Sequence, residues 1–144
     1  MGEVQGVVAV RCAESAGVGV RLVERTGPEV GAVRFAVEVS APGLAARVEE
    51  MVGWVGAADG LAGFLAGLAE EFRGWDGERV WATYDRDLTV RAVFRSGGYV
   101  GLTWTVRPWR TAQRGWEASV TTWVEGGEQL AALAADVRAF VDGG

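Results

Sequence analysis

Apolar and polar residues alternate along most of this chain, and a longer period interrupts the alternation twice. Alternation puts successive side chains on opposite faces of a strand, whereas apolar residues three and four apart make one stripe of a helix. Val33–Ser40 is the clearest strand of the first half, with Val33, Phe35, Val37 and Val39 facing one way and Arg34, Ala36, Glu38 and Ser40 the other. Val4–Glu14 and Val18–Arg25 read as strands before it, with Gly17 in the first turn and Thr26-Gly27-Pro28-Glu29 as the second. Leu44–Val55 is ambiguous: Leu44, Val48, Met51, Val52 and Val55 fit a helical stripe, but the second half has a strand in the equivalent place, and strand is the reading adopted. A helix then runs from an Asp59 cap to Arg73, burying Leu61, Phe64, Leu65, Leu68 and Phe72 and stopping at Gly74.

The second half repeats this order. Arg79–Tyr84, Leu88–Arg95, Tyr99–Arg107 and Trp116–Val124 read as strands, with a hairpin turn at Ser96-Gly97-Gly98 and a polar loop at Pro108–Gly115. The closing helix, Glu128–Val141, carries the stripe Leu130, Leu133, Val137, Phe140 and Val141. The pattern predicts one domain over residues 1–144, with pseudo-repeats of approximately 1–74 and 75–144. Its class is α+β: a largely antiparallel sheet built from two ββββα-like halves, with both helices packed on one face. A chain of this length buries enough surface to hold a core without staples.

Composition narrows the chemistry. The chain has no Lys, His, Ile or Asn, and all 14 basic residues are Arg. That bias reads as codon usage in a GC-rich bacterial genome; the alternative is selection for the fork of guanidinium donors. Without His there is no Ser-His-Asp or Cys-His arrangement and no His-based zinc site. The single Cys12 falls on the apolar face of the first strand and forms no disulfide within the chain, which fits a reducing cytoplasm. A net charge of −5 argues against non-specific nucleic-acid binding and against an anionic membrane surface. No membrane span or signal peptide is visible, so the expected location is cytoplasmic. The scattered glycines make no phosphate-binding loop, and no cofactor, metal or catalytic set is assigned.

Three constellations remain. Asp76 and Glu78, with Asp85 and Asp87, supply carboxylates for acid/base or metal chemistry, or are solvated turn residues. The outward strand positions carry Arg11, Arg21, Arg34, Arg91, Arg95 and Arg107 with Thr103, Thr105, Thr121 and Trp123. Those arginines either pair with Glu24, Glu38, Glu117 and Glu125 across strands or form a recognition face. The loop Pro108–Gly115 holds Arg110 and Arg114, with Trp109 and Trp116 at its ends.

The run Gly74-Trp75-Asp76-Gly77 with Trp81, and Gly127-Glu128-Gln129-Leu130 opening the last helix, resemble a family of short uncharacterised actinobacterial proteins, mainly over residues 60–141. The resemblance implies no activity and transfers no site. In size, acidity and layout the chain is also similar to immunity proteins of bacterial toxin systems. The expected function is a non-enzymatic protein-interaction module, an immunity-type inhibitor of a toxin being one form, with Arg91, Arg107, Trp109 and Trp123 as contacts. A homodimer would use the same face. The competing expectation is a small-ligand-binding or carboxylate-based enzyme domain. A deep pocket joining two of the four carboxylates, with raised carboxyl pKa values, would favour it; a flat face exposing Trp123 would favour the interaction module.

Overall fold

The computed structural model of the protein describes residues 6–108 and 115–143. Among them the elements follow the expected order: β1 (Val7–Arg11), β2 (Gly19–Glu29), β3 (Ala32–Ala41), β4 (Leu44–Trp54), α1 (Leu61–Glu70), β5 (Glu78–Ala82), β6 (Leu88–Arg95), β7 (Tyr99–Val106), β8 (Ala118–Glu125) and α2 (Glu128–Asp142). Each set of four strands is an antiparallel meander, β1-β2-β3-β4 and β5-β6-β7-β8. The ambiguous segment is a strand, β4.

The strands divide into two sheets that meet at β1 and β8, where Ala13 N donates to Trp123 O at 2.7 Å. Strand pairs twist by roughly 20–25° each, so eight strands in line would turn far from flat. Here the two sheets turn inward instead: β2 and β3 come close to β8, and β3 and β4 close to β7. α1 lies along α2, and α2 touches β1, β4 and β8. One hydrophobic cluster draws side chains from both sheets and both helices, Leu22 and Met51 from the first sheet, Leu102 and Trp104 from the second, Leu65 and Val137 from the helices. Phe35 of β3 meets Phe140 of α2 edge-on at 5.5 Å. Trp104 is wholly buried and donates its Nε1–H to Thr122 Oγ1 at 2.9 Å, which explains a threonine at an inward position of β8.

Three local expectations are corrected. β2 does not turn at Thr26–Glu29; it runs on to Glu29 through register shifts, and the hairpin turn is Val30-Gly31, both at positive φ. Asp59 does not cap α1. Gly60 takes the N-cap without a side-chain bond, and the helix ends at Glu70, short of Arg73. Phe72 therefore lies past the helical stripe and is 58% exposed.

Candidate functional site

α1 and α2 are antiparallel neighbours whose ends leave a gap beside β4 and the β5–β6 turn. The gap is a cavity of about 580 Å³. Its inner wall is apolar, from Leu22, Phe35, Leu61 and Val137, because these are the inward positions of β2, β3 and the two helices. Trp54 and Trp81 line it from the last turn of β4 and from β5, and Tyr84 stands 96% exposed at the rim. Trp81 is an inward residue of β5, and its indole N–H donates to Asp59 O at 2.8 Å, joining the second half to the β4–α1 loop of the first. Gly56 N donates to Asp142 Oδ1 at 3.0 Å, joining that loop to the end of α2.

The polar part of the cavity comes from the β5–β6 turn. Thr83 N donates to Leu88 O at 2.9 Å and Leu88 N donates to Thr83 Oγ1 at 3.1 Å, closing the turn on itself. The Thr83 hydroxyl donates to Asp87 Oδ1 at 2.5 Å. Asp87 is only 4% exposed. Burial pushes its carboxyl pKa above the ordinary aspartate value; the Thr83 hydroxyl and backbone amides oppose that shift, and the neighbouring Asp85 charge adds to it. A buried carboxyl beside apolar walls can accept a proton, take a hydrogen bond or meet a cation.

The four candidate carboxylates separate into two pairs. Asp85 and Asp87 both line the cavity, whereas Asp76 and Glu78 are exposed at the opposite end of β5. Among the described residues no group of three or more His, Cys, Asp or Glu is arranged to hold a metal ion.

Of the expected contact residues, Arg91 is exposed on β6 beside Thr103, with Glu78 Oε1 at 3.9 Å from its Nε. Arg107 donates through Nε to Arg86 O and through its backbone N to Asp87 O, each at 3.1 Å, and so holds the turn that carries Asp85 and Asp87. Trp123 is half-buried, lying across Gly101 with Arg95 stacked 4.1 Å above its ring centroid. Trp109, Arg110 and Arg114 lie outside the described residues. The threonines meet as the hairpin pairing requires, Thr103 with Thr121 at 2.8 Å and Thr105 with Ser119 at 2.7 Å.

Several outward arginines are paired. Arg21 and Arg47 share Glu38, and Arg47 also reaches Glu24 and Glu49. Arg95 pairs with Glu14. Glu125 pairs with no arginine among the described residues. Its carboxylate accepts the N–H of Gly127 and of Gln129, while its own N–H donates to Gln129 Oε1 at 2.9 Å. These bonds hold the Glu125 carboxyl below its usual pKa and cap α2. Sequence reasoning missed Trp54, Asp59 and Asp142 as neighbours of Asp85 and Asp87. Trp54 and Asp59 stand at the end of β4 and just before α1, and only the pairing of the two helices brings Asp142 across to them.

The motif residues that carried the family resemblance have structural roles. Gly74 has φ +108° and lies under the Phe94 ring; Trp75 meets Phe94 at a tilt of 59° with centroids 5.6 Å apart, and Arg79 sits over Trp75 and pairs with Glu71. No curated protein and no solved structure matches the chain significantly. A family model does match, across residues 11–144, and the chain therefore belongs to a family of unknown function, DUF6228.

Proposed function

We propose that the protein binds a small, largely apolar molecule in the cavity between its helix ends. The observation that carries this reading is a buried carboxyl, Asp87, at the edge of a tryptophan-lined cavity of about 580 Å³ whose inner wall is apolar. Ligand sites typically measure roughly 300–1,000 Å³ and combine apolar walls with a few fixed polar groups. The reading is of binding without turnover. The Thr83 hydroxyl beside Asp87 is committed to the turn, donating to Asp87 Oδ1 and accepting the Leu88 N–H, and the chain has no histidine to relay a proton. A thermal-shift screen of small amphiphiles tests it. Binders should raise Tm, and Ala57→Trp, which fills the cavity mouth, should abolish the rise. A screen in which no compound shifts Tm or perturbs the resonances of cavity residues would overturn the reading.

A second reading has its own support. On the outward face of the second sheet Val80 and Val93 are 53% and 37% exposed, beside Arg91 and the half-buried Trp123. Such a face suits a protein partner, and a toxin countered by an immunity-type inhibitor in the cytoplasm is one form. Arg91→Glu combined with Val93→Asp should abolish capture of that partner. Mass in solution separates this from self-association, which the same double variant would reverse.

A further inference from the structure

We infer that the occupant of the cavity is an amphiphilic cation: an organic ammonium group carried on an apolar or aromatic body. This deepens the ligand-pocket reading and rests on it. Among the described residues, the walls contribute the carboxylates of Asp59, Asp85, Asp87 and Asp142 and one guanidinium, that of Arg138. Those carboxylates come from the β4–α1 loop, the β5–β6 turn and the end of α2, so charge of one sign converges from three separate segments.

The helix poles do not set that sign. The N-terminus of α1 and the C-terminus of α2 both reach the cavity, and their partial charges are opposite. Side chains therefore decide, and they are acidic. Asp87 is distinct from the rim carboxylates. It is nine-tenths buried, fixed by the Thr83 hydroxyl, and carried on a turn that Arg107 clamps from β7's end. A carboxylate so placed is costly to keep without a counter-charge, and an ammonium group supplies one. Trp54, Trp81 and Tyr84 line the same cavity, and aromatic rings are the usual companions of a bound organic cation. Behind them, Leu22, Phe35 and Val137 give a dry wall for the apolar body.

Three probes of nearly equal shape separate the charge from the shape: phenylbutylamine, phenylbutanol and phenylbutyrate, titrated calorimetrically into the intact protein. The amine should bind at least about tenfold more tightly than the alcohol, as charge-assisted bonding implies, and the acid most weakly. Asp85→Asn and, separately, Asp87→Asn should bring amine and alcohol to similar affinity while leaving the alcohol's affinity in place. Asp85 lies nearer solvent, so its variant stands as the test if Asp87→Asn does not fold. Amine and alcohol binding equally to the native protein would overturn the cation assignment and leave the pocket standing. Tightest binding by the acid would overturn it in the same way. If none of the three binds, both the cation assignment and the pocket reading fall.

Discussion

Val30 is the residue at which local conformation and side chain disagree most. It sits in the two-residue turn between β2 and β3 at φ +53°, followed by Gly31 at φ +80°, and is 94% exposed. A two-residue hairpin of this hand needs positive φ at both positions, which Gly and Asn tolerate and a β-branched residue resists. No packing compensates for the strain at so exposed a site. Val30→Asn should therefore stabilise the protein by about 1 kcal/mol and raise Tm by roughly 3 °C. A melt in which the variant is unchanged or less stable would show the turn to be relaxed. Asp87 raises the opposite issue, a costly group retained in a good conformation. Its raised pKa means the folded protein holds that proton more tightly than the unfolded chain does. Its contribution is thus full below the ordinary aspartate value and is lost as pH rises through the folded value. Asp87→Asn keeps an oxygen for the Thr83 hydroxyl and removes the charge. It should raise Tm at neutral pH, with the gain fading as pH is lowered toward the ordinary aspartate range. Glu71 and Glu125 have lowered pKa values, from Arg79 and from the α2 amides respectively, so their support is present at neutral pH and fades in acid.

At the scale of elements, the joint between α1 and β5 is closely constrained. Gly74 combines φ +108° with a Phe94 ring 2.7 Å from where a Cβ would stand. Gly74→Ala should cost about 2 kcal/mol from the backbone alone, and more if Phe94 cannot move. Urea unfolding measures this, and Gly77→Ala provides the comparison: it shares positive φ, at +77°, but has open space around the Cβ position. Regular alternation made β3 and β6 legible, and the stripe of α2 was equally plain, since Leu130, Leu133, Val137 and Phe140 are all buried. Thr26-Gly27-Pro28-Glu29 misled because its Gly-Pro pair favours a turn. The chain uses those same residues in an irregular stretch of strand, where register shifts relieve the pairing. Asp59 misled for a related reason: it has the side chain of a cap, but the bond it makes is through its carbonyl, to Trp81. The carboxylates looked like one cluster in the sequence. β5 is five residues long, roughly 16 Å at strand rise, and it carries Asp76 and Glu78 to one end and Asp85 and Asp87 beyond the other. The cavity itself was not legible, since its walls come from strands, loops and helix ends that only tertiary packing assembles.

At the scale of the whole molecule, the duplicated order does not mean duplicated independence. Each half is a four-stranded meander with one helix, and each helix has contacts in the other half, α1 with β5 and α2 with β1 and β4. α2 touches β1 and β4 of the first half as well as β8 of its own, and α1 lies along α2. The hydrophobic cluster is continuous through both halves. Polar links also cross between them, among them Trp81 to Asp59, Asp142 to Gly56, Ala13 to Trp123 and Arg95 to Glu14. Separated at the Gly74–Trp75 bond, each fragment would expose the apolar side of its helix and of its sheet, and a chain of about half this length has little stability to spare. Fragments 1–74 and 75–144 should each lack a cooperative thermal transition when alone. Mixed in equal amounts, they should recover one, because the buried surface between them is the core itself. Recovery should restore the cavity too, since the Trp81–Asp59 bond and the Asp142–Gly56 bond both span the cut halves. The recovered complex should bind any ligand found for the intact chain. A fragment that melts cooperatively by itself would show instead that the repeat is a pair of domains and that the cavity is a cleft between them.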